Sequence, residues 1–283
     1  MPEIAEIAIT AEIINSKFKK HTLVSFDFIG GRYARNPPVN YDLFNEDLPM
    51  VLKNANSKGK FLFMSFIGEK TNWYVWNTLG LSGRWSLNEL PFSKAMLTFS
   101  DGSVLYFSDQ RNFGTIKFST DVVSLNKKLK ELSPDLLKDD FDLEKITKYK
   151  IPVVKILLDQ KKIGSGIGNY LSAEILYRAK ISPHRLSSSL TKKEIKNLDY
   201  WIRYVIKLSY MDNHVGYMMR LDEEADKIKR KNYHPEIKLK DETFKFNVYR
   251  KKFDPKGNKV KADKIVGSGK QMRTTYWVPS VQK

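Results

Sequence analysis

Hydrophobic periodicity changes twice along this chain, and that change limits its fold more than any other feature. Over residues 2–20, Ile4, Ile7, Ala8, Ala11 and Ile14 recur at i, i+3, i+4, i+7, the spacing of one helix face. Pro2 suits a first helical turn, and Glu3 and Glu6 put negative charge where a helix N-terminus favours it. From about 21 to 120 the pattern shortens to alternation, which predicts strands at 22–29, 60–67, 72–76, 94–99, 103–108 and 114–118. Gly30-Gly31, Ser57-Lys58-Gly59 and Asp101-Gly102 punctuate them as turns. Such a run makes a β-sandwich or barrel. From 124 to 211 helical spacing returns. Ser133-Pro134-Asp135 reads as a helix start, Pro152 opens VVKILLDQ, and GIGN (166–169) precedes YLSAEILYRA. Thr191, with Glu194 three residues on, forms a capping box for the next helix. After about 212 the chain turns charged, with strands predicted at 244–250 and 273–278. Strands followed by helices define an α+β chain, divided here into domains 1–123, 124–225 and 226–283.

Composition narrows the chemistry. The 283 residues contain no cysteine, so disulfides, thiolate nucleophiles and cysteine-ligated metals are excluded. Four histidines make a histidine-rich metal centre implausible, and no metal site or cofactor is expected. His184 and His234 read as surface or structural residues. No apolar run reaches the ~18–20 residues that span a bilayer. The start MPEIAEIAIT lacks the basic and apolar segments of a secretion signal, so an intracellular location, nucleus or cytoplasm, is expected. Net charge is +17. From Lys227 to Lys283, 14 Lys and 3 Arg face 5 acids, a net of +12, with aromatics interleaved. A polyanion, nucleic acid first, is the expected partner rather than a membrane.

Few of the usual catalytic signals are present. GSGIGN imitates a dinucleotide fingerprint, but it lies between helices rather than after a strand. The unusual feature is the start itself. After removal of the initiator Met, Pro2 would carry a free secondary amine, a nucleophile toward an aldehyde-like carbon once neutral. Glu3 and Glu6 lie beside it in sequence, as carboxylates that can divide acid and base work. A helix start with no catalytic role is the competing reading of these three residues taken alone.

Taken in order, the motifs resemble one family. Pro2-Glu3-Ile4-Ala5-Glu6 is similar to the PE(L/I)PE start of the Fpg/Nei (formamidopyrimidine-DNA glycosylase / endonuclease VIII) family, with Ala5 replacing a second Pro. Gly59-Lys60 resembles its RGK hairpin, LGLSG (79–83) its LGMSG loop, and Asp109-Gln110-Arg111-Asn112-Phe113-Gly114 its DxRRFG loop. SPDLL (133–137) resembles GPDPL, and Lys155 to Gln160 the following helix. GIGNYLSAEILYRAKISP (166–183) resembles the helix–two-turn–helix signature, and Arg273-Thr274-Thr275-Tyr276-Trp277 the end of the zinc finger. The departure is at that finger. The family's four cysteines fall near Lys256, Lys259, Val278 and Val281. The wording is that of a Nei-like branch with a zincless finger.

The resemblance implies a fold, a reaction and a partner. The fold is two-domain α+β: an N-terminal helix plus β-sandwich, then a helix–two-turn–helix domain with a zincless-finger β-hairpin. The activity is bifunctional, a DNA glycosylase with AP lyase activity acting through a proline Schiff base. Its substrate is a flipped, oxidised base, pyrimidines and hydantoins first. The partner is damaged double-stranded DNA, with single-stranded DNA a further candidate, and the protein a monomer. By the same resemblance Pro2 is the nucleophile, Glu3 the proton donor, Glu6 an assistant or a helix cap, and Lys60 a cation near the lesion phosphate. Asn169 and Arg273 grip phosphates. Leu81, Arg111 and Phe113 fill the vacated gap. Tyr233, in the loop 222–242, stacks on the flipped base or belongs to a plain charged loop. The alternatives are an Fpg-type enzyme for oxidised purines and a non-catalytic helix–two-turn–helix binder.

Overall fold

The computed structural model describes residues 2–212, 233, 237–266 and 272–283. They form two units: one holds residue 2 and residues 6–130, the other residues 3–5 and those from 131 onward. The boundary falls at the end of a helix, between Lys130 and Glu131.

Helix α1 runs Ile4–Phe18 and is buried almost all round, from Ile4 and Ile7 to Ile9, Ile14 and Phe18. It begins after Pro2 and Glu3 rather than at Pro2, because the Ile4 N–H is committed to the carbonyl of Gly166 at 3.1 Å.

Eight antiparallel strands follow in the first unit: β1 (Thr22–Asp27), β2 (Met50–Lys58), β3 (Phe61–Ile67), β4 (Asn72–Thr78), β5 (Arg84–Ser86), β6 (Ser93–Phe99), β7 (Val104–Ser108) and β8 (Thr115–Ser119). Their order is β5-β7-β6-β1-β2-β3-β4-β8. The ladder folds over on itself, since the rings of Phe26 on β1 and Phe118 on β8 meet at 5.1 Å although three strands separate them in that order. This is the expected sandwich, and its two layers share one core with Leu52, Leu62, Leu97 and Phe107. Short helices α2 (Arg32–Arg35) and α3 (Tyr41–Glu46) join β1 to β2. Helix α4 (Val122–Glu131) closes the unit.

The second unit is helical: α5 (Val153–Leu158), α6 (Asn169–Ala179) and α7 (Lys192–Asp212). The capping box forms as expected, with Thr191 N–H donating to Glu194 Oε2 at 2.8 Å and Glu194 N–H donating to Thr191 Oγ1 at 3.3 Å. Ser133-Pro134-Asp135 starts no helix. The Asp135 carboxylate takes the N–H groups of Leu137 and Lys138, which makes a turn.

The segment 244–250 is likewise not a strand. Its alternation (Phe244, Phe246, Val248) is real, but its backbone has another partner. The buried Glu174 carboxylate on α6 accepts N–H groups from Asn247, Val248 and Tyr249 at 2.9, 3.0 and 2.9 Å. The hairpin forms instead from β9 (Lys261–Val266) and β10 (Met272–Trp277).

Candidate active site and nucleic-acid interface

In the second unit the site is built on the N-terminus of α6. Gln160 shapes the loop before it, its Oε1 accepting from Gly166 N–H at 2.7 Å and its Nε2 donating to Ile167 O at 3.0 Å. Gly166 sits at φ 121°, and a Cβ there would lie 2.4 Å from the Ile4 side chain, so only glycine lets residues 3–5 approach. Glu3, fully buried, then sits with its carboxylate at the start of α6. It accepts N–H bonds from Gly168 at 2.5 Å, Tyr170 at 2.9 Å and Leu171 at 3.3 Å. Orphan helix donors and the helix dipole both favour an anion there.

Asn169, next in the chain, donates from Nδ2 to the carbonyl of Thr274 on β10 at 3.4 Å. That brings Asn169 beside Arg273, which is half-buried and pairs across the hairpin with Ile265. Tyr249 closes this region, its ring 5.3 Å from that of Tyr276. Burial first, then the charge of Glu3 and the neighbouring Tyr276, push the Tyr249 hydroxyl up to about 12. Tyr233 rests against Tyr210 at 6.0 Å and under the ammonium of Lys207 at 4.6 Å. The rest of its loop up to 236 lies outside the described residues, as does His234.

In the first unit Pro2 is buried and Glu6 lies in the first turn of α1, 5% exposed. Lys60 is half-buried in the two-residue hairpin that joins β2 to β3. Gly59 supplies the positive φ that its first position requires. The loops at 79–83 and 109–114 are clamped to one another. The buried Asp109 carboxylate accepts from Ser82 Oγ at 2.5 Å, Arg111 N–H at 3.2 Å and Gly114 N–H at 2.7 Å. Arg32 adds a bond to Gly114 O at 2.5 Å. The clamp leaves Leu81 half-buried, with Arg111 and Phe113 exposed, the Phe113 ring to 58%. An exposed aromatic beside an exposed guanidinium, both on a rigid base, suits insertion into a base stack.

The finger positions do not fit zinc. Lys256, Lys259, Val278 and Val281 offer no thiolate or imidazole. Among the described residues no three His, Cys, Asp or Glu side chains gather as a metal site would require. Hydrogen bonds close both ends instead. Asp254 takes the N–H groups of Lys256 at 2.9 Å and Asn258 at 2.8 Å, the Asn258 amide at 3.0 Å and the Tyr177 hydroxyl at 2.9 Å. Gln282 accepts from Val278 N–H at 2.7 Å and donates to Ile181 O at 2.9 Å.

Sequence reasoning gave no role to Gln160, Glu174 or Asp254, and took Tyr249 only as the packing partner of Tyr276, Trp277 and Val278 in the hairpin. Gln160 and Glu174 both lay inside matched motifs, so a signal existed. Glu174 and Tyr249 meet partners distant in sequence, whereas Asp254 joins the nearby Lys256 and Asn258 to the distant Tyr177.

A sandwich in one unit, with a helix–two-turn–helix and a β-hairpin in the other, defines a DNA glycosylase architecture. Three family models of formamidopyrimidine-DNA glycosylase match in order: the N-terminal domain over 1–116, the H2TH domain over 132–216 and the C-terminal domain over 235–283. A formamidopyrimidine-DNA glycosylase of Geobacter metallireducens is 30% identical over 237 residues, 80% of this chain and 84% of that protein. Among solved structures, MutM (Fpg) of Thermus thermophilus aligns with a TM-score of 0.75 at 24% identity, over 99% of this chain and 98% of that one. The Lactococcus lactis Fpg in complex with DNA containing an abasic site aligns at 0.78 and 20% identity, over 99% of each. The chain belongs to the formamidopyrimidine-DNA glycosylase family, and is an enzyme of the bifunctional glycosylase and AP lyase class.

Proposed function

We propose that this enzyme excises oxidised bases from damaged DNA and then nicks the strand, using the amine of Pro2. The observation that carries the reading is the Glu3 carboxylate, pinned by three backbone N–H groups at the start of α6, one residue from that amine. Pro2 nitrogen attacks C1′ of the flipped nucleotide, the glycosidic bond breaks, and the base departs with a proton. Glu3 donates the proton that opens the sugar ring, leaving an iminium between Pro2 and the sugar. The iminium acidifies the C2′ hydrogen. Its loss expels the 3′ phosphate, and a second elimination expels the 5′ phosphate. Lys60 faces the lesion phosphate and, by its charge, keeps the Pro2 amine neutral. Glu6 assists or caps α1. Asn169 and Arg273 bind flanking phosphates, while Leu81, Arg111 and Phe113 occupy the gap left by the base. The hairpin holds its shape through Asp254 and Gln282 without zinc.

Oxidised and ring-opened purines come first as substrates, because the relatives are named formamidopyrimidine-DNA glycosylases. Oxidised pyrimidines and hydantoins are the second reading, supported by the cysteine-free finger and the GNYLSAEILYR wording. Excision rates on 8-oxoguanine opposite cytosine and on thymine glycol separate the two. Borohydride tests the mechanism itself: it should trap a covalent complex with DNA carrying an excised or abasic site. Equal trapping by protein whose Pro2 is blocked by an N-terminal extension would refute the nucleophile.

A further inference from the structure

Beside the clamped loops of the first unit lies a cavity of about 180 Å³, lined by Ser82, Arg84, Pro91, Phe92, Ser108 and Gln110. Ser82 and Gln110 are the chain neighbours of Leu81 and Arg111, so the cavity opens next to the residues assigned to the vacated gap. Its floor is Ser108, in register with Arg84 on β5 and Ser93 on β6. Its wall includes Phe92.

Phe92 is unusual in two ways. Its φ is 67°, a left-handed conformation that a bulky side chain rarely adopts. Its ring is nevertheless 53% exposed, so no core packing explains the choice of residue. The surroundings enforce the conformation. Phe92 O accepts from Asp109 N–H at 3.1 Å. Ser93 Oγ bonds Ser108 Oγ at 3.0 Å and Leu90 O at 2.8 Å. Lys94 Nζ stands 6.0 Å from the ring centroid, which makes the wall electropositive. Backbone strain of this kind, held by surrounding bonds, is concentrated at ligand clamps.

We propose that this cavity is a nucleobase site, in which an unpaired base of the DNA stacks on Phe92 with its edge toward Arg84 and Gln110. The ligand chemistry follows from the lining: an aromatic residue, a guanidinium, an amide and hydroxyls, with the Lys94 ammonium 6.0 Å from the ring as a cation for a nearby phosphate. The proposal rests on the reading that the 79–83 and 109–114 loops enter DNA at the lesion. Two bases carry the same chemistry: the one left opposite the flipped nucleotide, and one in an unpaired flank.

The test uses the full chain and duplexes containing a tetrahydrofuran abasic analogue. In one arm 2-aminopurine stands opposite the analogue; in the other it stands in an unpaired flank beside it. Binding should quench the 2-aminopurine in at least one arm, which identifies the occupant. Phe92→Asn tolerates the left-handed backbone but has no ring to stack. It should abolish that quenching and weaken binding roughly tenfold. Phe92→Tyr should retain both. Wild-type protein that quenches in neither arm, or Phe92→Asn that matches wild type in both, overturns the site. Borohydride trapping by wild type keeps the two readings apart. Trapping without any effect at Phe92 removes only the nucleobase site, whereas absent trapping removes the glycosylase mechanism itself.

Discussion

The hydroxyl of Tyr177, on α6, donates to Oδ2 of Asp254 at 2.9 Å, and this bond ties the helix–two-turn–helix unit to the turn where related chains would hold zinc. Burial opposes the Asp254 charge. The Asn258 side chain and backbone, Tyr177 and Lys256 outweigh it and hold the carboxyl below its ordinary range. Tyr177→Phe should cost about 1.5–3 kcal/mol, the range of a hydrogen bond to a charged group. Asp254→Ala should cost more, because it strands several donors at once. A strong chelator should leave the melting temperature of wild type unchanged. A chelator-induced drop comparable to that of Asp254→Ala would mean that a metal, not this carboxylate, holds the turn.

The same pair sets an alkaline limit. Burial first, and then the bond to Asp254, raise the Tyr177 hydroxyl from 10.0 to about 12. The folded state thus favours the neutral phenol. Its contribution to stability is complete below pH 10.0 and is lost as pH rises toward 12. Tyr249, also raised to about 12, adds to the same window. Thermal melts from neutral pH to pH 12 should fall through that interval. The fall should be shallower in Tyr177→Phe and shallower again with Tyr249→Phe added. A fall of equal steepness in all three proteins would assign the alkaline loss to other groups.

Glu3→Gln keeps the shape of the side chain and two acceptor sites, but sets an amide N–H₂ against the N–H groups that start α6. It also removes the proposed proton donor. Excision of an intact oxidised base should fall ~10²–10⁴-fold. Nicking of a preformed abasic site, whose sugar already opens to the aldehyde without that proton, should fall less. Equal losses on both substrates would give Glu3 a purely structural role as the cap of α6.

Arg273 stands on β10 beside Thr274, whose carbonyl accepts from Asn169. If both hold phosphates, Arg273→Ala should weaken binding about equally on every lesion. It should also flatten the dependence of log Kd on log salt by about one ion. Binding titrations at several salt concentrations on two lesions check this. A loss confined to one lesion would place Arg273 at the base instead of the backbone.

How much of this was legible depended on whether a residue's partners were near in sequence. The capping box of Thr191 and Glu194 and the hairpin at Gly59 were readable because each closes within a few residues. β2 was hidden because a bulge between Leu52 and Asn54 breaks its alternation, so the buried Leu52 and Ala55 fall three apart instead of two. β9, KADKIV, is charged at half of its positions and reads as loop. The false strand at 244–250 had the right alternation, but Glu174, seventy residues earlier, captured its backbone. At the site, Pro2, Glu3 and Asn169 were visible through ordered motifs. Asp109 stood inside a recognised loop, yet its work depends on Ser82, 27 positions away.

That clamp gives the last prediction. Asp109 is 1% exposed and holds Ser82, Arg111 and Gly114 at once. Asp109→Asn turns one acceptor into a donor facing an N–H or hydroxyl, leaving a buried group unpaired at about 1–3 kcal/mol. Ser82→Ala removes a single bond and should cost less. The loops carrying Leu81, Arg111 and Phe113 would then be ordered only on binding, and that ordering lowers affinity for gapped DNA more than for intact duplex. The ratio of the two dissociation constants, measured on duplexes with and without an abasic analogue, should fall in Asp109→Asn and fall less in Ser82→Ala. An Asp109→Asn protein that is less stable yet keeps the full ratio would show that the clamp supports the fold without setting recognition.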